Sequence, residues 1–330
     1  MKTGKLVDTA LHSQVIDKIR KVRDDILIGP ETGEDCAAID FGELSAVLST
    51  DPITGASSEV GALAVHINCN DIASSGAEPV ALLLTILAPV GTSEETIGQI
   101  MDQAAEEAAK MKVEIIGGHT EVTEAVNRIL VSATAIGKAE KDKLVSTGGA
   151  KDGDAIIMTK WAALEGTGIL AYDYEDRLVD HLGRITVTGA QEMLSWVSVV
   201  PEGRICGDFG VNAMHDATEG GILGAIWELC QAAKLGCKID TELIPLRQET
   251  KDICEHFEID PLELISSGVM LITVEKDRSK DLMDLLESKG IPATCIGHMR
   301  ENPKLWMVTA VGKIPIDPPK SDALYRINVQ

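Results

Sequence analysis

Five polar clusters interrupt apolar stretches of this 330-residue sequence, and each holds residue types that bind cations or phosphate. Gly33-Glu34-Asp35-Cys36-Ala37-Ala38 joins a glycine turn to two acids entering a strand, and Ser49-Thr50-Asp51-Pro52 ends an apolar run on an acid, with Pro52 blocking helical continuation. Asn70-Asp71 is followed by Gly76-Ala77-Glu78-Pro79. Asp71 lies eleven residues after Val60, almost three helical turns, and so shares the face of Val60, Leu63, Ala64 and Ile67. An ionised carboxylate on such a face is costly unless a cation accompanies it. Gly117-Gly118-His119-Thr120-Glu121 follows a short apolar run, with glycines that let a backbone approach closely and a threonine hydroxyl to offer phosphate. Met214-His215-Asp216-Ala217-Thr218-Glu219-Gly220-Gly221 leads straight into the helical spacing Ile222, Ala225, Ile226, Leu229. The free N–H groups there would attract an anion, unless Thr218 simply caps the helix.

Hard divalent cations prefer carboxylate oxygen, so Asp35, Asp51 and Asp71 together are the expected ligands of magnesium. The overall charge makes that expectation more pointed. Against 30 lysines and arginines stand 52 aspartates and glutamates, a formal charge of −22. Such a field repels phosphate backbones and anionic lipid, which argues against nucleic acid and membranes as partners. A phosphorylated small molecule such as ATP would need local cations, and carboxylate-bound magnesium supplies them. His12, His66, His181, His256 and His298 have no acidic partner at a telling spacing and are set aside.

The elements that must carry these clusters are visible in part. Ala46–Thr50, Val80–Leu87, Val113–Ile116 and Ile129–Ala135 read as buried strands, and Ser93–Met111 as an amphipathic helix opened by a Thr92-x-x-Glu95 capping box. Turn chemistry over Ser146–Asp154 marks a domain boundary, giving residues 1–147 and 148–330. Beyond it, strands are expected at Ala155–Lys160, Val269–Val274, Thr294–His298 and Leu305–Thr309, and helices near Ala190–Val199, Gly221–Ala233 and Lys276–Lys289. This mixed order argues for two α+β domains rather than one doubly wound sheet. The seven cysteines are odd in number, scattered and free of any C-x-x-C pair, no stretch has the apolar length of a membrane span, and the expected location is cytoplasmic.

In type and order the five clusters resemble the motifs of the AIR-synthase-like (PurM-like) superfamily, over about residues 25–315. Its members include AIR synthase, selenophosphate synthetase, thiamine-monophosphate kinase and the hydrogenase-maturation factor HypE. Val60-Gly61-Ala62-Leu63-Ala64-Val65-His66 and the Met-His-Asp-x-Thr-x-Gly-Gly form resemble the HypE branch. The resemblance implies an N-terminal domain that pairs into a homodimer through a shared β-barrel and binds ATP and Mg2+, followed by a C-terminal α/β sandwich. It implies metal binding by Asp35, Asp51 and Asp71, and nucleotide contacts from Thr50, Asn70, Gly117, Gly118, Thr120, Gly220 and Gly221. His215, Asp216 and Thr218 would do the catalytic positioning.

HypE dehydrates a carbamoyl group carried on its own C-terminal cysteine, which requires a thiolate there. Here Arg326-Ile327 is followed by Asn328, and the last cysteine is Cys295. The segment Ile28-Gly29-Pro30-Glu31-Thr32 holds no lysine or cysteine nucleophile, which argues against selenium chemistry. The expected activity is therefore HypE-like phosphorylation of an amide or carboxamide oxygen on a small-molecule acceptor, with a maturation protein as partner. The alternatives are a small-molecule kinase, a purine- or thiamine-pathway synthetase, or a nucleotide-binding partner protein without catalysis.

Overall fold

The computed structural model describes residues 4–6, 8–54, 56, 58–310, 312–318 and 321–327. The first half runs α1 (Asp8–Gln14), β1 (Ile26–Ile28), β2 (Ala37–Asp40), β3 (Leu44–Ile53), α2 (Val60–Ser74), β4 (Glu78–Ala88), α3 (Glu94–Met111), β5 (Glu114–Val122) and β6 (Leu130–Glu140). Its six strands form one sheet in the order β1-β2-β3-β6-β4-β5, antiparallel except where β5 joins β4 in parallel. Val47 and Ser49 on β3 alternate with the half-buried Leu48 and exposed Thr50, and Val131, Ala133 and Ala135 on β6 are fully buried. One face is thus covered, by α2 backed by α3. Small residues on β6 allow the close approach: a Cβ added at Gly137 would lie 2.3 Å from Cγ2 of Ile72 on α2.

The other face stays open, with Leu83, Ile116 and Val122 exposed and β5 an unpaired edge. This sheet is not closed on itself among the described residues, so the expected barrel is not present in a single chain.

The second half runs β7 (Ala155–Thr159), α4 (Leu164–Asp173), α5 (Glu175–Leu182), α6 (Arg184–Glu192), α7 (Val200–Phe209), β8 (Ala213–Ala217), α8 (Gly221–Ala233), β9 (Gly236–Asp240), α9 (Gln248–Phe257), β10 (Val269–Val274), α10 (Ser279–Ser288), β11 (Ala293–Arg300), β12 (Leu305–Thr309) and β13 (Gly312–Pro315). Its seven strands lie in the order β13-β12-β9-β11-β7-β10-β8. Every residue of β7, β8 and β10 is buried. Ile156 and Met158 pack with Ile222, Ile226 and Leu229 of α8, while Ile157, Met214 and Met270 pack with Cys206 of α7 and Leu282 and Leu286 of α10. Central strands buried on both faces explain their unbroken apolar sequence.

Three local readings are corrected. The cap of α3 is Ser93, whose Oγ accepts from Thr96 N at 3.1 Å, one residue later than the Thr92 box suggested. The helix expected over Ala190–Val199 ends at Glu192, and a 3-10 turn, Met193–Trp196, leads into a loop held by side chains from elsewhere. Helix α2 is buried on nearly all faces rather than one, because α7 of the second half also lies against it. Among the described residues no helix is long and apolar enough to cross a membrane.

Candidate active site

Four aspartates from four separate elements act on one another electrostatically where the two halves of the chain pack together. Asp35 sits in the turn before β2, Asp51 on β3, Asp71 on α2 and Asp216 on β8. The Asp35 turn lies tight against α8, because Gly33 adopts φ +82° and a Cβ there would meet the Glu228 carbonyl oxygen at 2.8 Å. Glu34, its neighbour, accepts from Ser146 Oγ and from Gly148 N at 3.4 Å, in the stretch that joins the two halves of the chain.

Ser49 and Asp51, two residues apart on β3, share the face toward α2. The Ser49 hydroxyl donates to Asp71 Oδ2. One helical turn earlier, Asn68 Oδ1 accepts from the Asp51 amide at 2.8 Å while its Nδ2 donates to Ala64 O at 3.0 Å, fixing strand against helix.

Asp71 is 4% exposed, and burial first, then Asp216, Asp51 and Asp35, hold its carboxyl well above the usual carboxylate range. Burial also raises Asp51, with Lys5 opposing and Asp35 and Glu219 reinforcing. Asp216 is 1% exposed, and neither of its carboxylate oxygens has a hydrogen-bond partner. Two orphaned, buried carboxylate oxygens beside three further carboxylates are the donor chemistry of a hard cation. As they stand, no three His, Cys, Asp or Glu side chains among the described residues are drawn together closely enough to chelate an ion. The expected trio thus shares one electrostatic field without forming a ready-made cage.

His215 links the halves. Its Nδ1 is 2.8 Å from Asp35 Oδ1 and its Nε2 is 3.1 Å from Glu228 Oε2. Burial alone would keep this imidazole neutral, but Asp35 and Glu228 outweigh it and the pKa is raised well above the usual histidine value. A positive ring clamped between two acids holds Asp35 in place, with both carboxylate oxygens within 3.0 Å of Nδ1.

Other expected residues are placed differently. The Asn70 amide is fully buried and engaged at both ends, Nδ2 donating to Val197 O at 2.7 Å and Oδ1 accepting from Val199 N at 2.8 Å. It clamps α2 to the loop of the second half and, fully buried there, is not open to a phosphate. Thr50 Oγ1 donates to Ala133 O at 3.0 Å, and its side chain lies on the sheet face opposite Asp51. Gly117, Gly118 and Thr120 are exposed on β5, three strands from β3, and do not meet the acids within one chain.

At the start of α8, Gly220 and Gly221 are both left-handed, and Thr218 does not cap the helix. The Gly220 N–H donates instead to Asp322 Oδ2 at 2.7 Å. Asp322, 102 residues later, also accepts from Leu324 N at 2.8 Å and Ile265 N at 3.3 Å, so a carboxylate of this chain occupies the expected anion position. Tyr325 donates to Glu219 Oε1 at 2.7 Å, which carries the segment 321–327 past the mouth of the site. Asn328 lies outside the described residues.

Two histidines set aside earlier do have acidic partners: His66 Nε2 lies 3.0 Å from Glu107 Oε2, joining α2 to α3, and His12 lies 3.7 Å from Asp8. Cys36, the cysteine next to the acids in sequence, is buried, and burial followed by Asp35 pushes its thiol far up, away from nucleophilic use.

The model of the AIR synthase related protein, N-terminal domain, matches residues 33–139, and that of the C-terminal domain matches residues 151–308. The chain belongs to the AIR synthase related family. Within it, the sequence is 27% identical over 336 residues to a hydrogenase expression/formation protein of Methanocaldococcus jannaschii, covering 98% of this chain and 97% of that protein. It is 26% identical over 313 residues to carbamoyl dehydratase HypE of Escherichia coli K12, covering 89% of each. Among solved structures, hydrogenase maturation protein HypE in complex with ATP superposes with a TM-score of 0.68 at 18% identity, over 98% of both chains. This AIR synthase related protein therefore has the two-domain PurM-like α+β fold.

Proposed function

We propose that this member of the family is an ATP- and Mg2+-dependent enzyme that phosphorylates the oxygen of an amide or carboxamide and then expels phosphate, chemistry related to that of carbamoyl dehydratases. The observation that carries the reading is Asp216: a carboxylate with two unpaired oxygens, buried beside Asp35, Asp51 and Asp71, is stable at neutral pH only with a cation at hand. Magnesium would be held by Asp71 and Asp216 with Asp35 and Asp51 around it, and when bound it supplies the positive charge that a triphosphate requires in a chain of net charge −22.

The chain's own residues do the rest. His215, held positive by Asp35 and Glu228, fixes the position of Asp35. Asn68 holds the backbone of Asp51, and Ser49 holds the carboxylate of Asp71. The amide oxygen attacks the terminal phosphorus and ADP leaves; the activated carbon–oxygen bond then breaks as phosphate departs, while the nitrogen gives up its two protons to solvent and its electrons complete the carbon–nitrogen triple bond. The Cys36 thiol is held protonated by its surroundings and does not serve as the acceptor.

A homodimer fits the same reading. The open apolar face at Leu83, Ile116 and Val122 and the free edge β5 would be covered by a second copy. Gly117, Gly118 and Thr120 would then reach the phosphates from the neighbouring subunit.

The test is phosphate release from ATP by the full chain with Mg2+, across carboxamide, hydroxyl and amine acceptors. Stimulation by a carboxamide, with one phosphate released per nitrile formed, is expected. Stimulation by hydroxyl acceptors alone, with phosphate retained on the product, would replace this reading with a kinase.

A further inference from the structure

One cation reaches the acids from an unexpected place. The backbone N–H of Lys5 donates to Glu219 Oε2 at 3.2 Å, and its ammonium donates to Thr218 Oγ1 at 3.2 Å and lies 4.0 Å from Glu228 Oε1. Gly4, immediately before it, lies against Tyr325, whose hydroxyl is bonded to the same Glu219. The segment is thus seated on the loop between β8 and α8 from two sides.

Among the described residues, no other lysine or arginine makes a hydrogen bond or ion pair with Asp35, Asp51, Asp71, Asp216, Glu219 or Glu228. Glu228 is one partner of the ammonium but has another of its own. That carboxylate already has His215 Nε2 at 3.1 Å, whereas the ammonium stays at 4.0 Å, on a side chain that is 58% exposed against 15% for Glu228. A positive group held beside carboxylates yet open to solvent can meet an incoming anion.

Resting on the reading of an ATP site given above, we propose that Lys5 is a phosphate-binding residue of that site, its ammonium pairing with the triphosphate. With the carboxylates neutralised by a bound cation, the ammonium is a positive charge of the protein itself at the mouth. It is anchored through its backbone, and its exposed side chain reaches the acids from the solvent side. The ammonium's bond to Thr218 places it at the end of the motif that also supplies His215 and Asp216.

Calorimetric titration of the full chain in Mg2+ with ATP, and separately with AMP, tests this in the wild type, Lys5→Met and Lys5→Arg. The side chain is exposed, and melting temperatures of all three proteins check that the variants fold. Lys5→Met is expected to weaken ATP about 10- to 100-fold, the worth of a charge-assisted contact to phosphate, while AMP binding is unchanged and Lys5→Arg recovers most of the loss. Unchanged or tighter ATP binding by Lys5→Met would overturn the proposal and leave Lys5 a plain counter-ion, with the ATP reading intact. A wild type that binds no ATP would overturn the reading itself and the role of Lys5 with it.

Discussion

Replacing Asp216 by asparagine is expected to raise the melting temperature of the metal-free protein and at the same time to remove most of its Mg2+-dependent ATP binding. Both effects come from one carboxylate that is 1% exposed with no hydrogen-bond partner on either oxygen. Burial, then Asp35, raises its pKa well above the usual range, while His215 and Lys5 oppose. A carboxyl whose pKa is raised on folding favours the folded state fully below its unfolded value, about 4, and that contribution is lost as pH rises through the folded value. The advantage of the variant should therefore be absent near pH 4 and greatest at neutral pH, ~1–3 kcal/mol. An amide keeps the shape of the side chain but is a poor ligand for a hard cation, so affinity for ATP in Mg2+ should fall about 100-fold or more. Thermal melts at both pH values, with and without Mg2+, read both effects. A variant destabilised at neutral pH and still responsive to Mg2+ would contradict the assignment.

Lys160→Met is expected to cost about 3–5 kcal/mol of stability, the usual consequence of removing one partner of a buried ion pair. The Lys160 ammonium is 2.8 Å from Glu202 Oε1 and donates to Trp196 O at 2.9 Å and Ser198 O at 2.6 Å, with side chains 4% and 1% exposed. Glu202 Oε1 has no hydrogen-bond partner of its own and depends on that charge. The two carbonyls bracket Val197, whose own carbonyl accepts from Asn70. Lys160 therefore fixes from one side the loop that Asn70 fixes from the other, and α2 carries Asp71 next to Asn70. The variant should lower the urea midpoint and also weaken ATP binding, as Asp71 loses its fixed place relative to Asp216. Adding Glu202→Leu should restore much of the stability, because the stranded charge goes too. A single variant within about 1 kcal/mol of the wild type would show that the pair is dispensable.

The contrast between α8 and α2 shows what was legible in the sequence. Helix α8 spans Gly221–Ala233 as its apolar spacing predicts. Helix α2 shows helical spacing at Val60, Leu63, Ala64 and Ile67 too, but it is clasped by the sheet, α3 and α7, a burial that periodicity does not reveal, and α4, buried along most of its length, presents no polar stripe to detect. Strands β7 and β10 were visible because their apolar runs are short and bounded by turns.

The aspartates were legible as interruptions of apolar pattern, since a buried carboxylate needs a reason. Asn70 was misread because it stands beside Asp71 in sequence. Adjacent helical residues point about 100° apart, so one amide faces the loop at Val197 while the next side chain faces Ser49. Asp322 and Lys5 escaped for a different reason. Their partners Gly220 and Thr218 lie 102 and 213 residues away, and no local pattern carries such a pairing.

The most direct test is calorimetric titration of the full chain with ATP, once in Mg2+ and once in EDTA. The carboxylate cluster, unneutralised, should repel the triphosphate, so binding in Mg2+ should be at least about 100-fold tighter than in EDTA. Equal affinity in the two buffers would mean that the four aspartates do not meet the nucleotide through a cation.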